Sequence, residues 1–255
     1  MNKKDATKSL AESATKLLPQ EERLAVSSRK SSLFIGIPKE TSMHEKRVPL
    51  VPKDVALLVH NGHEVVIETK AGKRSSFSDN DYSEAGAQIA HDRKEVYKAD
   101  IILKVEPLSL EEIKLLKRGQ TVISALQLPL QPKNFLQQLM AKKITAIAYD
   151  FIKDREGILP VIRAMSEIAG NTSVLIAAEY LSNANSGKGL MLGGITGVKP
   201  VEVVIIGAGT VGEFATRAAL GLGASVKVFS NSISKLRRLQ DGVGCRVYTS
   251  VIQPD

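Results

Sequence analysis

The sequence predicts an α/β protein: a doubly wound parallel-sheet domain towards the amino end, then a second, shorter α/β unit. Three observations carry that expectation. Short β-rich runs alternate with amphipathic helical runs from Leu33 onward, and parallel neighbours need such helical crossovers. A long helix rich in small residues and a glycine-rich stretch then interrupt the alternation. Behind them a strand runs into Gly207-Ala208-Gly209-Thr210-Val211-Gly212 and on into a helix.

Taken in order, SLFIGIP is a strand ending at Pro38. Pro52 opens a helix carrying Val55, Leu58 and Val59, and Asn61-Gly62 stops it, since proline suits a first turn and glycine a helix end. HEVVIE and DIILKV are the next strands; Ser109 with Glu112 makes a capping box for SLEEIKLLK, each side chain answering the other's backbone N–H. TVISAL, a helix through Phe135, Leu136 and Leu139, and ITAIAY complete the first domain, and His91 is expected on a helix. The second region holds the helix MSEIAGNTSVLIAAEYL, a glycine-rich loop or hairpin NSGKGLMLGGITGVKP, the strand Val201–Ile206, a helix over 212–222 and the strand SVKVFS. The expected divisions are residues 1–32 as a helical extension, striped by Leu10, Leu17, Leu18 and Leu24, then 33–154 and 155–255 as domains. A sheet with so few strands leaves apolar edges, which predicts dimerisation or partial disorder after about Val228.

Composition narrows the function classes. The 35 Lys and Arg exceed the 27 Asp and Glu, giving a net charge of +8, but they are dispersed and aromatic residues make up only 4%. Nucleic-acid binding is therefore not expected, and attraction of anionic nucleotides and carboxylates accounts for the charge. No apolar run approaches a membrane-spanning length, so no membrane insertion is expected. A lone Cys245 excludes an internal disulfide and a Cys-based metal cluster. The leading residues lack a secretory apolar core and carry Asp5, Glu12, Glu21 and Glu22, so the cytoplasm is the expected compartment.

Each glycine of the G-x-G-x-x-G run has a steric task. Gly207 permits the tight turn, Gly209 lets backbone approach a pyrophosphate, and Gly212 lets helix and strand pack closely. The following helix offers N–H groups and the positive end of its dipole to phosphate. Strand before and helix after supply the context that turns a common glycine spacing into a dinucleotide site of the Rossmann type. The acid expected at the end of the second strand is absent: the position falls on Ser230, which neither holds a ribose as firmly as a carboxylate nor repels a 2′-phosphate. Lys235, Arg237 and Arg238 lie just beyond. NAD is the first reading and NADP stays open, the bland reading of those bases being a solvated helix face.

From Leu33 onward the chain resembles the alanine dehydrogenase and pyridine nucleotide transhydrogenase α-subunit family, with closer similarity to alanine dehydrogenase. IGIPKE followed by Arg47-Val, HNGHEVVIETKAG, FSDNDYSEAGA, ADIILKVEP, ITAIAYD, MSEIAG, GLMLGGITGV and the fingerprint with GLGASVKVF carry the resemblance. It implies oxidation of L-alanine to pyruvate and ammonia with hydride passing to a nicotinamide, in a dimeric or hexameric assembly. It assigns the substrate carboxylate to Arg47, whose guanidinium fork suits a carboxylate; an ion pair with Glu40 or Glu45 is the bland alternative. It also implies a substrate-gripping lysine within K-V-K-E-P, which here reads Lys104-Val105-Glu106-Pro107, one residue shorter. Lys104 either matches only the first lysine of that pattern or replaces the second through a local shift. The acid/base histidine of the family falls at Gln127, whose amide cannot exchange a proton near neutral pH. Ser166, Val211 and Lys235 match the implied cofactor positions, while Ser230 departs from an aspartate. The residues therefore support three functions: an alanine-dehydrogenase-like enzyme or part of one, a nucleotide-binding transhydrogenase-type subunit, and a non-catalytic member of the same fold.

Overall fold

The computed structural model describes residues 32–252, so the helical extension expected over 1–32 lies outside the described residues. The chain divides into two compact units, the first ending at Ile147 and the second beginning at Ala148.

The first unit is built on a six-stranded sheet of β1 (Phe34–Ile37), β2 (Glu64–Glu68), β3 (Gln88–Ala90), β4 (Ile101–Leu103), β5 (Thr121–Ser124) and β6 (Thr145–Ala148). Its strand order is β3-β2-β1-β4-β5-β6, the doubly wound order in which the direction of winding reverses between the first and fourth strands. β1 is parallel to both of its neighbours, pairing Ile35 with Val65 on one side and with Ile101 on the other. Three successive residues of β1, Ile35, Gly36 and Ile37, are buried, as expected for a strand covered on both faces. A Cβ on Gly36 would stand 2.4 Å from the Val96 carbonyl, so only glycine lets that backbone approach the strand.

The helices of this unit are α1 (Pro52–His60), α2 (Asp79–Glu84), α3 (Arg93–Val96), α4 (Leu110–Leu115) and α5 (Lys133–Ala141). Pro52 sits in the first turn of α1, and Asn61 at its end returns its side-chain amide to the Leu57 carbonyl. Ser109 and Glu112 form the expected capping box, and a second one joins Ser78 to Asp81 at α2. Between Thr69 and Asp100 the structure adds α2, β3 and α3, elements too short for a hydrophobic period to show. His91 is a correction: it lies exposed in the bend before α3, not on a helix, because Asp92 caps α3 by accepting from Lys94 N. The core gathers Ile35, Ile37, Val55, Val65, Ile67 and Tyr82, with the Tyr82 hydroxyl donating to the Leu50 carbonyl at 2.8 Å.

The second unit comprises α6 (Pro160–Leu181), β7 (Glu202–Ile206), α7 (Thr210–Gly221), β8 (Ser225–Ser230), α8 (Ile233–Val243) and β9 (Tyr248–Val251). β7, β8 and β9 form a parallel three-stranded sheet in that order. α6 begins earlier than its sequence pattern, at Pro160, which fits a first turn. Beyond Val228 the described residues continue as α8 and β9, with Leu236 and Leu239 buried in one cluster with Val226 and Val228. Gly170 of α6 meets α7 closely, since a Cβ there would lie 2.5 Å from the Val211 carbonyl. β7 is one of the two edge strands, and its Val204 and Ile206 are exposed, Ile206 by 79%.

Candidate functional site

Two sites emerge, one in each unit. In the first, the strand order places the carboxyl ends of β1 and β4 side by side at the reversal of winding, where open α/β sheets form their ligand crevices. The residues that leave those strands meet there. Glu40, after β1, accepts from Val105 N at 2.7 Å. Lys104, directly after β4, is fully buried and donates to Glu112 Oε1 at 2.8 Å, while Glu40 Oε2 lies 3.4 Å from its Nζ. The Tyr97 hydroxyl donates to the same Glu112 oxygen at 3.0 Å, and Arg93 approaches it at 4.0 Å while binding Glu68 at 3.0 Å.

The two glutamates respond oppositely. Burial pushes the Glu40 carboxyl above its ordinary value, and Lys104 only partly offsets this. Burial acts in the same sense on Glu112, but Lys104, the Ser109 N–H and Tyr97 outweigh it and hold that carboxyl below its ordinary value. The difference follows the geometry, because Glu112 has the shorter contact to the lysine and more donors. Glu40 Oε2 has no aligned hydrogen-bond donor among the described residues. Tyr97 is pushed well above a phenol's usual range by burial and by Glu112.

Arg47 lies in the loop between β1 and α1, half-exposed, with its guanidinium on Glu45: Nε donates to Oε1 at 2.8 Å and Nη2 to Oε2 at 2.7 Å. This fork on a carboxylate shows the side chain in the geometry such a group adopts, and it realises the pairing with Glu45 that the sequence offered as an alternative. The hydrogen bond from Arg47 holds Glu45 below its ordinary pKa. Gln127, beyond β5, is exposed, and its backbone is left-handed with φ 45° and ψ 45°, a region sparsely used by residues other than glycine. Arg47 forks onto Glu45 and Lys104 onto Glu112 and Glu40, so these two site candidates are engaged by different carboxylates. Glu112 was legible in sequence only as a cap; its second oxygen reaches Lys104 across the fold, and no local signal announces that. His44, His60 and His91 are exposed, and His63 accepts from Leu33 N through Nδ1 at 3.3 Å. Among the described residues no cluster of His, Cys, Asp and Glu could hold a metal ion.

The second site is the glycine loop. Gly207 takes φ 110°, a conformation that favours glycine. A Cβ on Gly212 would stand 2.0 Å from the Gly207 carbonyl, so the turn closes on a residue without a side chain. A Cβ on Gly209 would meet nothing within 4 Å, so the backbone there is open. Ser166 of α6 joins Gly207, Gly209, Thr210, Val211 and Gly212 in the lining of one groove of about 630 Å³. Ala208 is buried in the core beneath the loop. Ser230 and Lys235 lie outside that groove: Ser230 ends β8, buried, and its Oγ accepts from Ser232 N at 3.3 Å, while Lys235 is exposed in the first turn of α8.

Doubly wound sheet, switch-point crevice and glycine loop define an α/β protein of the Rossmann class, in two units. Family comparison carries this further: "Alanine dehydrogenase/PNT, N-terminal domain" matches residues 36–169 and "Alanine dehydrogenase/PNT, C-terminal domain" matches residues 173–255. The chain belongs to the alanine dehydrogenase/pyridine nucleotide transhydrogenase family. It is 40% identical over 218 residues to the alanine dehydrogenase of Mycolicibacterium smegmatis, covering 85% of this chain and 58% of that protein. The alanine dehydrogenase of Methanococcus maripaludis is 41% identical with the same coverage. Among solved structures, an L-alanine dehydrogenase superposes with a TM-score of 0.78 at 39% identity, covering 86% of this chain and 60% of the other. A transhydrogenase from Sinorhizobium meliloti gives 0.71 at 25% identity, with 85% and 63% covered. The chain thus spans about 58% of the length of these curated relatives. No helix among the described residues is long and apolar enough to cross a membrane.

Proposed function

We propose that the chain supplies the substrate unit and the pyrophosphate-holding part of an alanine-dehydrogenase-like oxidoreductase, which converts L-alanine to pyruvate and ammonia with NAD(P) as hydride acceptor. The observation that carries this is the glycine loop: Gly209 leaves open space, Gly212 packs where no side chain fits, and Ser166 shares their groove. These residues fit a dinucleotide, whose nicotinamide ring takes up the hydride when bound. Gly207, Ala208, Gly209, Thr210, Val211 and Gly212 present backbone and the start of α7 to the pyrophosphate.

In the first unit Arg47 holds the substrate carboxylate by exchanging the Glu45 carboxylate for it, a swap of like partners in the same fork. Lys104 is the lysine that this chain keeps in the shortened motif, and its charge is taken up by Glu112 and Glu40. Gripping substrate requires it to exchange one of those carboxylates. Gln127 orients the substrate carbonyl by hydrogen bonding, and its amide leaves proton transfer to solvent or to another group. The relatives' names support alanine as substrate. Exposed Ile168, Leu175 and Tyr180 on α6, with Val204 and Ile206 on β7, support a homo-oligomer, dimer or hexamer, which light scattering after gel filtration tests.

The decisive assay follows alanine-dependent reduction of NAD⁺ and NADP⁺ at 340 nm. It uses this chain alone and this chain joined to the remaining carboxyl-terminal part of the M. smegmatis relative. Turnover in the joined protein supports the reading; nucleotide binding without alanine turnover in either refutes it. That second outcome would favour a transhydrogenase-type or non-catalytic nucleotide-binding role, for which glutamine at position 127 already argues.

A further inference from the structure

We propose that the adenosine end of the nucleotide site accepts a 2′-phosphorylated dinucleotide, NADP(H), in preference to NAD(H); this rests on the dinucleotide reading of the glycine loop. In such sites the second strand ends beside the adenine ribose, and an acid there accepts from the ribose hydroxyls and repels a phosphate. Here that strand is β8, and it ends at Ser230, a buried neutral hydroxyl. Ser230 Oγ accepts from Ser232 N at 3.3 Å, which leaves its own proton to donate. The turn that follows carries two more hydroxyls, Ser232 and Ser234, with their oxygens 3.0 Å apart.

The charged residues of this segment are all basic. Between Ser225 and Gln240 the sequence holds Lys227, Lys235, Arg237 and Arg238 and no Asp or Glu. Lys227 is engaged by Glu202 at 2.7 Å. Lys235, Arg237 and Arg238 are exposed on the opening turns of α8 and pair with no carboxylate among the described residues. A 2′-phosphate, with a charge of about −1.5 to −2 near neutral pH, would thus face hydroxyl donors, three unneutralised cations and the positive end of α8. A ribose 2′-hydroxyl would meet the Ser230 hydroxyl where such strands commonly end in an acid.

Calorimetric titration of the whole chain with NAD⁺ and NADP⁺, and with the probes 5′-AMP and 2′,5′-ADP, tests this. NADP⁺ and 2′,5′-ADP are expected to bind at least roughly tenfold tighter than their unphosphorylated counterparts. Ser230→Asp should reverse the preference by placing a carboxylate against the phosphate. Because Ser230 is buried, the exposed triple variant Lys235→Gln, Arg237→Gln and Arg238→Gln gives a second measurement: 2′,5′-ADP should weaken by roughly tenfold or more beyond any loss in 5′-AMP. NAD⁺ binding as tightly as NADP⁺, or a triple variant without selective loss, overturns the preference and leaves the dinucleotide site standing. Binding of neither nucleotide overturns both.

Discussion

Lys104→Met isolates the buried charge cluster of the first unit. Lys104 is buried, with Glu112 at 2.8 Å and Glu40 at 3.4 Å, and all three side chains are at most 5% exposed. At an effective dielectric of about 20 these contacts amount to roughly 6 and 5 kcal/mol of gross attraction. Desolvation of the lysine offsets much of that, and removing one partner of such a buried set leaves a net loss of about 3–5 kcal/mol. At about 3 °C per kcal/mol for a chain of this size, the transition should fall by roughly 9–15 °C. The sign of the pH dependence follows from the two carboxyls. Glu112 is held below its ordinary value and stabilises the fold above that value, a contribution lost as pH falls. Glu40 is raised, so its contribution is full below the ordinary value and is lost as pH rises through the raised one. Without Lys104 both carboxyls rise, and the penalty must grow from about pH 4.5 to pH 7.5. Urea unfolding followed by circular dichroism, the chain having no tryptophan, should show the full loss at pH 7.5 and a clearly smaller one at pH 4.5. A variant within about 1 kcal/mol of the parent at pH 7.5, or a penalty that does not shrink in acid, would refute the buried cluster.

Glu112→Gln removes the carboxylate nearest Lys104 but leaves Glu40 to pair with that lysine and can keep a cap and a tyrosine contact, so it should cost only about 1–2 kcal/mol by the same unfolding assay. Gly209→Ala and Gly212→Ala should separate binding from folding. The first meets open space and should leave stability within about 0.5 kcal/mol while weakening nucleotide binding severalfold. The second drives a Cβ onto the Gly207 carbonyl and should destabilise the second unit by about 1–3 kcal/mol. Arg47→Ala, losing a half-exposed pair, should change stability by less than about 1 kcal/mol, yet raise the KM for alanine in a competent enzyme; an unchanged KM would remove Arg47 from the substrate site.

What the sequence made legible was what is decided locally. Strand and helix alternation, the Pro52 start, the Ser109–Glu112 cap, the tight turn at Gly207 and the close packing at Gly212 rest on neighbours within a few residues, and each appears in the structure. Elements of three to six residues between Thr69 and Asp100 escaped because hydrophobic periods need longer runs. The Lys104–Glu112–Glu40 cluster escaped for a different reason. Its members leave two strands and a helix that only the sheet order brings together, and Glu112 already had a sufficient local explanation as a cap. Arg47 was readable as a carboxylate fork, but only the structure selects Glu45 as its partner.

The left-handed backbone at Gln127 bears on how this lineage can change. Histidine, like asparagine and aspartate, enters that region several-fold more readily than most side chains. The turn after β5 therefore holds a backbone already suited to an imidazole. Exchange between an amide that can only position a carbonyl and a ring that can shuttle its proton is a single substitution at an exposed site. On the proposed reading of this position, such an exchange needs no rebuilding of the sheet.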